Sequence, residues 1–130
     1  MAAGKYNFVI EQGSTVDFTV NYKDSSNNPI DLSSYGARMQ IRPSADSTVL
    51  IAHLSSSLDA DGSGIHMEPI DPDSLLQLPK SSGSLQVIIS AASSSLMDFG
   101  IAQYDLEIHS GSFVEKIIRG RVSLRKEVTR

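Results

Sequence analysis

The residues best suited to holding a metal ion lie between positions 53 and 66. His53 and His66 flank a segment that carries Asp59 and Asp61, so a hairpin here would bring imidazole and carboxylate groups near one another. A zinc site needs at least three protein ligands, and one of the two aspartates would have to supply the third. We interpret the two histidines as ordinary strand residues and predict no metal site.

The same segment begins like a calcium-binding loop. Asp59 and Asp61 are followed by Gly62, as at the start of such loops. An EF-hand loop ends on a bidentate carboxylate at its twelfth position, where this sequence has Ile70. Because Asp-Gly pairs are typical of tight turns, we predict a turn here rather than an ion site.

The sequence lacks the motifs that support catalysis. No serine stands in a Gly-x-Ser-x-Gly elbow, and no Gly-rich phosphate loop is present. The chain has no cysteine to act as a thiol nucleophile. Its aromatic residues include no tryptophan, and Phe8, Phe18, Tyr22 and Tyr104 fall on apolar strand faces, which disfavours a sugar-stacking platform. We therefore predict a protein that is not an enzyme, with no catalytic residues and no cofactor.

The elements that position these residues are strands, because apolar and polar residues alternate with a period of two over much of the chain. Five runs are clearest, and each predicts one buried face. Their inward residues are Val16, Phe18, Val20 and Tyr22; Ala37, Met39 and Ile41; Leu85, Val87 and Ile89; Tyr104, Leu106 and Ile108; and Ile118, Val122 and Leu124. In the last run Arg119, Arg121 and Arg125 face outward.

Weaker strands are predicted at residues 6–11, 48–54 and 64–68, and turn-forming residues separate them. Pro29 closes a hairpin connection that begins after Tyr22. The loop 69–83 is irregular because Pro69, Pro72 and Pro79 interrupt strand pairing, although residues 73–78 could form one helical turn. A loop of this length is commonly a binding or assembly element. A short helix capped by Ser90 is predicted before the strand of Tyr104.

These elements predict an all-β protein, a single immunoglobulin-like β-sandwich of about seven to eight strands spanning residues 1–130. Tyr104 has the position of the tyrosine that anchors a corner in immunoglobulin-like sandwiches through its hydroxyl group. The cysteine and tryptophan that accompany this tyrosine in true immunoglobulin domains are missing.

Composition narrows the class of protein further. The chain has 130 residues, no cysteine and a formal net charge of −4. It holds no apolar run long enough to span a membrane and no secretory signal, so we expect no membrane association. The acidic balance argues against nucleic acid as a partner.

The charge is unevenly distributed along the chain. Residues 113–130, the basic C-terminal strand, carry six basic and two acidic residues, a net charge of +4. The first 112 residues therefore have a net charge of −8. Such opposite charges could meet between copies of the chain. The alternative is a solvated strand face that is balanced by its own neighbours.

Several stretches of the sequence match a known pattern, namely YNFVIEQG at 6–13, TVDFT at 15–19, PIDL at 29–32, YGARMQIR at 35–42, YDLE at 104–107 and RGRVSLRKEVTR at 119–130. Together they resemble a family of small virion proteins of tailed bacteriophages. Residues 37–42 and 120–130 are the most specific of these stretches. The chain is also similar, more loosely, to the immunoglobulin-like N-terminal domain of phage baseplate upper proteins. The proline-rich stretch 69–79 departs from the short turn that is usual in the family.

The resemblance implies a structural role in the virion, in the tail or baseplate region, with assembly in the host cytoplasm. The implied partners are other virion proteins, with several copies in a symmetric assembly. We expect the contact surface to include Arg38, Arg42, Arg119, Arg121, Arg125 and Arg130. The guanidinium fork suits carboxylates on an adjoining copy, although outward arginines can also simply protect an edge strand from wrong pairing. Two other functions remain open, namely a capsid decoration protein and a receptor-binding module for a host glycan.

Overall fold

Two β-sheets pack face to face around an apolar core in the computed structural model, which describes residues 4–71 and 73–128. The larger sheet contains β1 (Gly4–Lys5), β2 (Phe8–Glu11), β4 (Gly36–Arg42), β5 (Ala52–Ser55), β8 (Ile101–Ser110) and β9 (Phe113–Arg125). The smaller sheet contains β3 (Val16–Asn21), β6 (Gly64–His66) and β7 (Ser84–Ile89). The chain is therefore an all-β sandwich, as predicted.

The strand order of the larger sheet places the two ends of the chain side by side. Its central strands run in the order β5-β4-β8-β9, and each neighbouring pair is antiparallel. Beyond β9, both β1 and β2 pair with that strand in the parallel direction. The smaller sheet has the order β3-β7-β6 with antiparallel pairing.

The alternation that predicts the strands also predicts the core. Ala37, Met39 and Ile41 in β4 are fully buried, as are the inward residues of β7 and β8. In β3, Phe18 and Val20 are only partly buried, because this strand lies at the edge of the smaller sheet. On β9, Arg119, Arg121 and Arg125 point away from the core, as predicted.

A β-bulge in β9 changes which of its residues face outward. Leu106 pairs with Ile118, whereas the next residue, Glu107, pairs with Lys116, so Ile117 is the extra residue. Ile117 and Ile118 both pack on the core. As a result, Lys116 stands beside Glu107 on the outer face of the sheet.

The weaker predicted strands need corrections at their boundaries. The strand expected at 48–54 begins only at Ala52, because Val49 and Leu50 remain exposed and unpaired with a sheet. The strand expected at 64–68 ends at His66. The first predicted strand, at 6–11, begins only at Phe8 as β2, and a separate two-residue strand, β1, precedes it.

The irregular loop 69–83 contains more order than expected, although Pro72 lies outside the described residues. The helical turn suggested for residues 73–78 is wrong, since Ile70 and Gln77 form an antiparallel bridge. A short 3₁₀ helix, Lys80–Ser82, follows. The hairpin connection closed by Pro29 is confirmed by its bridge to Lys23.

One short helix, α1 (Ala91–Ser95), precedes β8 as predicted. Its cap is Ser90, whose hydroxyl oxygen accepts a hydrogen bond from the Ser93 amide at 3.1 Å. The buried Ser94 hydroxyl donates to the Ser14 carbonyl at 2.7 Å, which fixes the helix against the start of β3. Within the described residues, no helix has the length and apolar character needed to cross a membrane.

The predicted corner role of Tyr104 is wrong. Its hydroxyl donates at 2.6 Å to the carbonyl oxygen of Tyr6 in the N-terminal segment, and not to the backbone of the corner that precedes β8 in the chain. The reason is a close approach of two backbones: a Cβ atom on Gly120 would lie 2.0 Å from the Tyr6 oxygen. Only glycine lets the N-terminal segment lie this close to β9, where Tyr104 can reach it. Burial raises the pKa of Tyr104 above its usual range.

Candidate docking surface

The outer face of the larger sheet is organised in rows by the pairing of β9, β8 and β4. Each row takes one outward residue from each strand. The rows are Arg121, Gln103 and Arg42; then Arg119, Asp105 and Gln40; then Lys116, Glu107 and Arg38. The spacing of these residues on single strands follows from alternation, but their grouping depends on the register between strands.

The third row forms a cluster of paired charges, which we call the closed triad (Arg38, Glu107 and Lys116). Glu107 is only 8% exposed, and its carboxylate accepts hydrogen bonds from both Arg38 and Lys116. Burial alone would raise the pKa of Glu107, but the two cations outweigh it and hold the pKa below its ordinary value. The Lys116 ammonium also lies 3.5 Å from the Asp105 carboxylate.

The first two rows line a concavity of about 480 Å³, which we call the basic groove. Its cationic residues are Lys5, Arg42, Arg119 and Arg121; the other lining residues are Asn7, Gln40, Ser44, Ala45, Gln103, Tyr104, Asp105 and Gly120. No carboxylate belonging to residues 4–71 or 73–128 forms an ion pair with Arg42, Arg119 or Arg121. Arg42 instead donates to the side-chain oxygen of Gln40 at 2.9 Å.

The N-terminal segment forms one wall of the groove. Lys5 in β1 lies opposite Arg119, and the Tyr6 amide donates to the Arg119 carbonyl at 2.9 Å. The Asn7 side-chain oxygen accepts from the Arg121 amide at 2.8 Å. Because the Tyr6 backbone in this wall lies directly against Gly120 of β9, the shape of the groove depends on the small size of that residue.

The structure separates the six arginines predicted to form the contact surface. Arg42, Arg119 and Arg121 meet in the basic groove, whereas Arg38 is bound in the closed triad. Arg125 pairs with Glu11, with 2.9 Å between a guanidinium nitrogen and a carboxylate oxygen. Arg130 lies outside the described residues.

Sequence reasoning missed Lys5 and the contribution of the first strand. Lys5 joins the groove because β1 runs parallel to β9, a pairing between the two ends of the chain. No local pattern reports such a pairing. The one available signal was Gly120, a glycine inside a predicted strand, which often marks a close approach of another backbone.

The outer face has a charge opposite to that of the protein as a whole. The groove and the triad together hold six cations (Lys5, Arg38, Arg42, Lys116, Arg119 and Arg121) and two carboxylates (Asp105 and Glu107). This face therefore carries +4 on a chain whose formal net charge is −4. A surface of this kind attracts carboxylates and orients an acidic partner as it approaches.

The segment considered for metal binding has a structural role. Asp61 accepts hydrogen bonds from the hydroxyls of Ser90 and Ser93 at 2.6 Å each, which ties the turn to α1. These bonds hold the pKa of Asp61 well below its ordinary range. His53 and His66 have separate partners, the Gln40 side chain at 3.0 Å and the Gly62 carbonyl at 3.1 Å. Within the described residues, no group of three histidine or acidic residues could hold a metal ion.

Comparison with protein-family models finds no match for this chain, and a search of curated proteins finds no similar one. The functional proposal therefore starts from the geometry of the basic groove.

Proposed function

We propose that this protein is a non-enzymatic structural subunit of a tailed-phage virion, in the tail or baseplate region. It docks through the basic groove onto a carboxylate-bearing surface of an adjoining subunit. The observation that carries the proposal is the convergence of Arg42, Arg119 and Arg121 in one groove without an ion-pair partner among the described carboxylates.

Arginine is well suited to such docking. Its planar guanidinium group binds a carboxylate through two parallel hydrogen bonds and is less strongly hydrated than an ammonium group. Within the same sheet, Arg38 and Arg125 each have a carboxylate partner from a neighbouring strand. Because the three groove arginines lie side by side in a concave surface without such a carboxylate, their arrangement favours a partner that comes from outside the chain.

The strand order supports an immunoglobulin-like arrangement, which is part of the proposal. In immunoglobulin domains, strands B, E and D lie next to one another in one sheet, and strands C, F and G in the other. Here β3-β7-β6 and β4-β8-β9 follow the same two orders, and β5 extends the larger sheet beside β4. The basic groove would then lie on the outer face of the sheet that contains strands C, F and G.

The virion setting of the proposal comes from the sequence resemblance. Two of its most specific stretches, 37–42 and 120–130, supply Arg42 and Arg121 to the groove. The resemblance and the groove thus involve the same face of the protein. A head position and a glycan-binding role are the other outcomes that the experiments below distinguish.

Gold labelling of an epitope-tagged copy on intact phage particles tests the location. We expect label at the tail or baseplate. Label distributed over the capsid would overturn the tail position in favour of capsid decoration, and particles without the protein would overturn the virion role. Specific binding to a glycan array would instead favour receptor recognition.

Incorporation of a charge-reversed variant tests the docking surface. Arg119→Glu combined with Arg121→Glu should reduce incorporation into particles about tenfold or more, because like charges placed across an interface cost several kcal/mol. The matched control is Lys23→Glu with Lys80→Glu, which changes the net charge equally outside the groove. Equal incorporation of the groove variant and the wild-type protein would contradict the proposal.

A further inference from the structure

A second element of the protein has the properties that a partner of the basic groove requires. Residues 68–71 and 73–78 form a small hairpin, which we call the acidic hairpin. The Leu78 amide donates to the Pro69 carbonyl at 2.8 Å, and the Asp71 amide donates to the Leu76 carbonyl at 2.9 Å. The Asp71 carboxylate accepts from the Ser74 hydroxyl at 2.9 Å, so the hairpin is shaped by its own hydrogen bonds.

The hairpin presents apolar side chains together with carboxylates. Ile70, Leu75 and Leu76 are 55%, 76% and 67% exposed, which is a large apolar surface for so short a segment. Leu75 has a φ of 60°, a conformation that few residues other than glycine adopt, and a hydrogen bond from its amide to the Asp71 carbonyl holds it there. Glu68 and Asp73 are exposed on the same hairpin. Exposed apolar side chains grouped in this way commonly mark an interaction site.

The basic groove has a matching apolar border. Val9 and Ile101 lie on either side of Ser123, since both pair with it in the sheet, and they are 49% and 64% exposed. Together with Arg121 they line a shallow concavity of about 190 Å³ next to the basic groove. Cations and exposed apolar side chains are therefore adjacent here, as carboxylates and exposed apolar side chains are on the hairpin.

The hairpin of one molecule does not occupy its own groove. It connects β6 and β7 of the smaller sheet, whereas the groove lies on the outer face of the larger sheet, on the other side of the core. Among residues 4–71 and 73–128, no hydrogen bond or ion pair joins the two features.

We propose that the occupant of the basic groove is the acidic hairpin of a second copy of this chain. This inference rests on the proposed function, docking through the groove, and identifies the partner. Hairpin carboxylates pair with the groove arginines, while Ile70, Leu75 and Leu76 cover Val9 and Ile101. Because the groove and the hairpin lie on opposite sides of the core, each molecule presents them to two different neighbours. The interface is therefore head-to-tail, and its repetition builds a ring or a filament.

Sedimentation velocity of the purified protein over a range of concentrations tests this inference. We expect wild-type protein to form species larger than a dimer, and we expect added salt to weaken them. Arg119→Glu with Arg121→Glu should weaken self-association about tenfold or more, and so should Glu68→Lys with Asp73→Lys. Asp71 is left unchanged because it shapes the hairpin. Circular dichroism verifies that both variants are folded.

Mixing the two variants gives the decisive result. In each variant the hairpin and the groove carry charges of the same sign, so copies of one variant repel one another. In the mixture, the acidic hairpin of the groove variant meets the basic groove of the hairpin variant. The basic hairpin of the hairpin variant likewise meets the acidic groove of the groove variant. We expect the mixture to recover the association that each variant has lost. Folded variants that fail to associate when mixed would overturn the inference.

The failure of this inference differs from a failure of the proposed function. A wild-type protein that stays monomeric at every concentration, with a groove variant that is still excluded from particles, would overturn self-docking alone. Normal incorporation of the groove variant would overturn both.

Discussion

The closed triad and the basic groove lie in neighbouring rows of one sheet, yet their cations are in opposite situations. In the triad, Arg38 and Lys116 share the buried carboxylate of Glu107. One and two rows away, respectively, Arg119 and Arg121 have no such partner within the described chain. The same residue types are paired with a carboxylate in one row and have no ion pair with a described carboxylate in the others.

The difference comes from the residue that β8 contributes to each row. In the triad that residue is a glutamate, which reaches the cations on both sides. In the row of Arg121 and Arg42 it is Gln103, which carries no charge. In the row of Arg119 it is Asp105, whose carboxylate lies 3.5 Å from the Lys116 ammonium instead. The β8 side chain of each row, together with the partner it takes, therefore decides whether the cations are neutralised within the molecule. Four predictions test this difference, in order of expected effect.

The largest effect is expected from Gly120→Ala, which removes the groove wall without touching the triad. A methyl group at this position collides with the Tyr6 carbonyl and displaces the segment between β1 and β2. We expect a loss of about 2–3 kcal/mol in the free energy of unfolding, measured in urea. Gly100→Ala is the matched control, because its Cβ meets no atom within 4 Å. Equal stability of the two variants would contradict the described path of the N-terminal segment.

Glu107→Gln should have the next largest effect, because it leaves two cations of the triad without their shared carboxylate. We expect a loss of about 1–2 kcal/mol, below the range for fully buried pairs, since Arg38 and Lys116 are half exposed and can regain water. Asp105→Asn, at a more exposed carboxylate in the same strand, should cost less than about 0.5 kcal/mol. Equal stability of the Glu107→Gln and Asp105→Asn variants would contradict a stabilising role for the triad.

The pH dependence of stability should reveal the same carboxylate. The pKa of Glu107 is lower in the folded protein than in the unfolded chain, so its contribution is present above about pH 4.3 and is lost as the pH falls through the folded value. Wild-type protein should therefore lose more stability than Glu107→Gln between about pH 5 and about pH 3. Asp61 and the other carboxylates with lowered pKa act equally in both proteins and cancel in the comparison. Parallel pH profiles would show that Glu107 is not stabilised by its neighbours.

The smallest effect on stability is expected for the groove variant, which has the largest expected effect on docking. Arg119→Glu with Arg121→Glu removes no ion pair within the described chain, so the free energy of unfolding should change by less than about 0.5 kcal/mol. Chemical denaturation measures it directly. A loss above about 1 kcal/mol would place these arginines among the residues that hold the fold together.

Alternation along the strands was sufficient to predict much of the fold. The buried faces of β4, β7 and β8 and the outward arginines of β9 follow from a period of two, because a register slip would expose a whole apolar set. The cap at Ser90 was also predictable, since it depends only on neighbouring residues. Each of these features depends on residues that are close to one another in the sequence.

The composition of the candidate site was only partly predictable, because it depends on contacts between distant strands. The bulge at Ile117 turns Lys116 outward, and nothing in the alternation marks it. Arg125 was grouped with Arg119 and Arg121 by its position on β9, but the parallel pairing with β2 places it against Glu11. The role of Lys5 required the same parallel pairing.

The reactivity of individual arginines toward a dicarbonyl reagent, compared between the dilute isolated protein and purified phage particles by peptide mass spectrometry, tests the central claim most directly. The account predicts that Arg42, Arg119 and Arg121 react in the isolated protein and are protected in the particle. Arg125, already paired with Glu11, should change little. Groove arginines that react equally in both states would contradict docking through the basic groove.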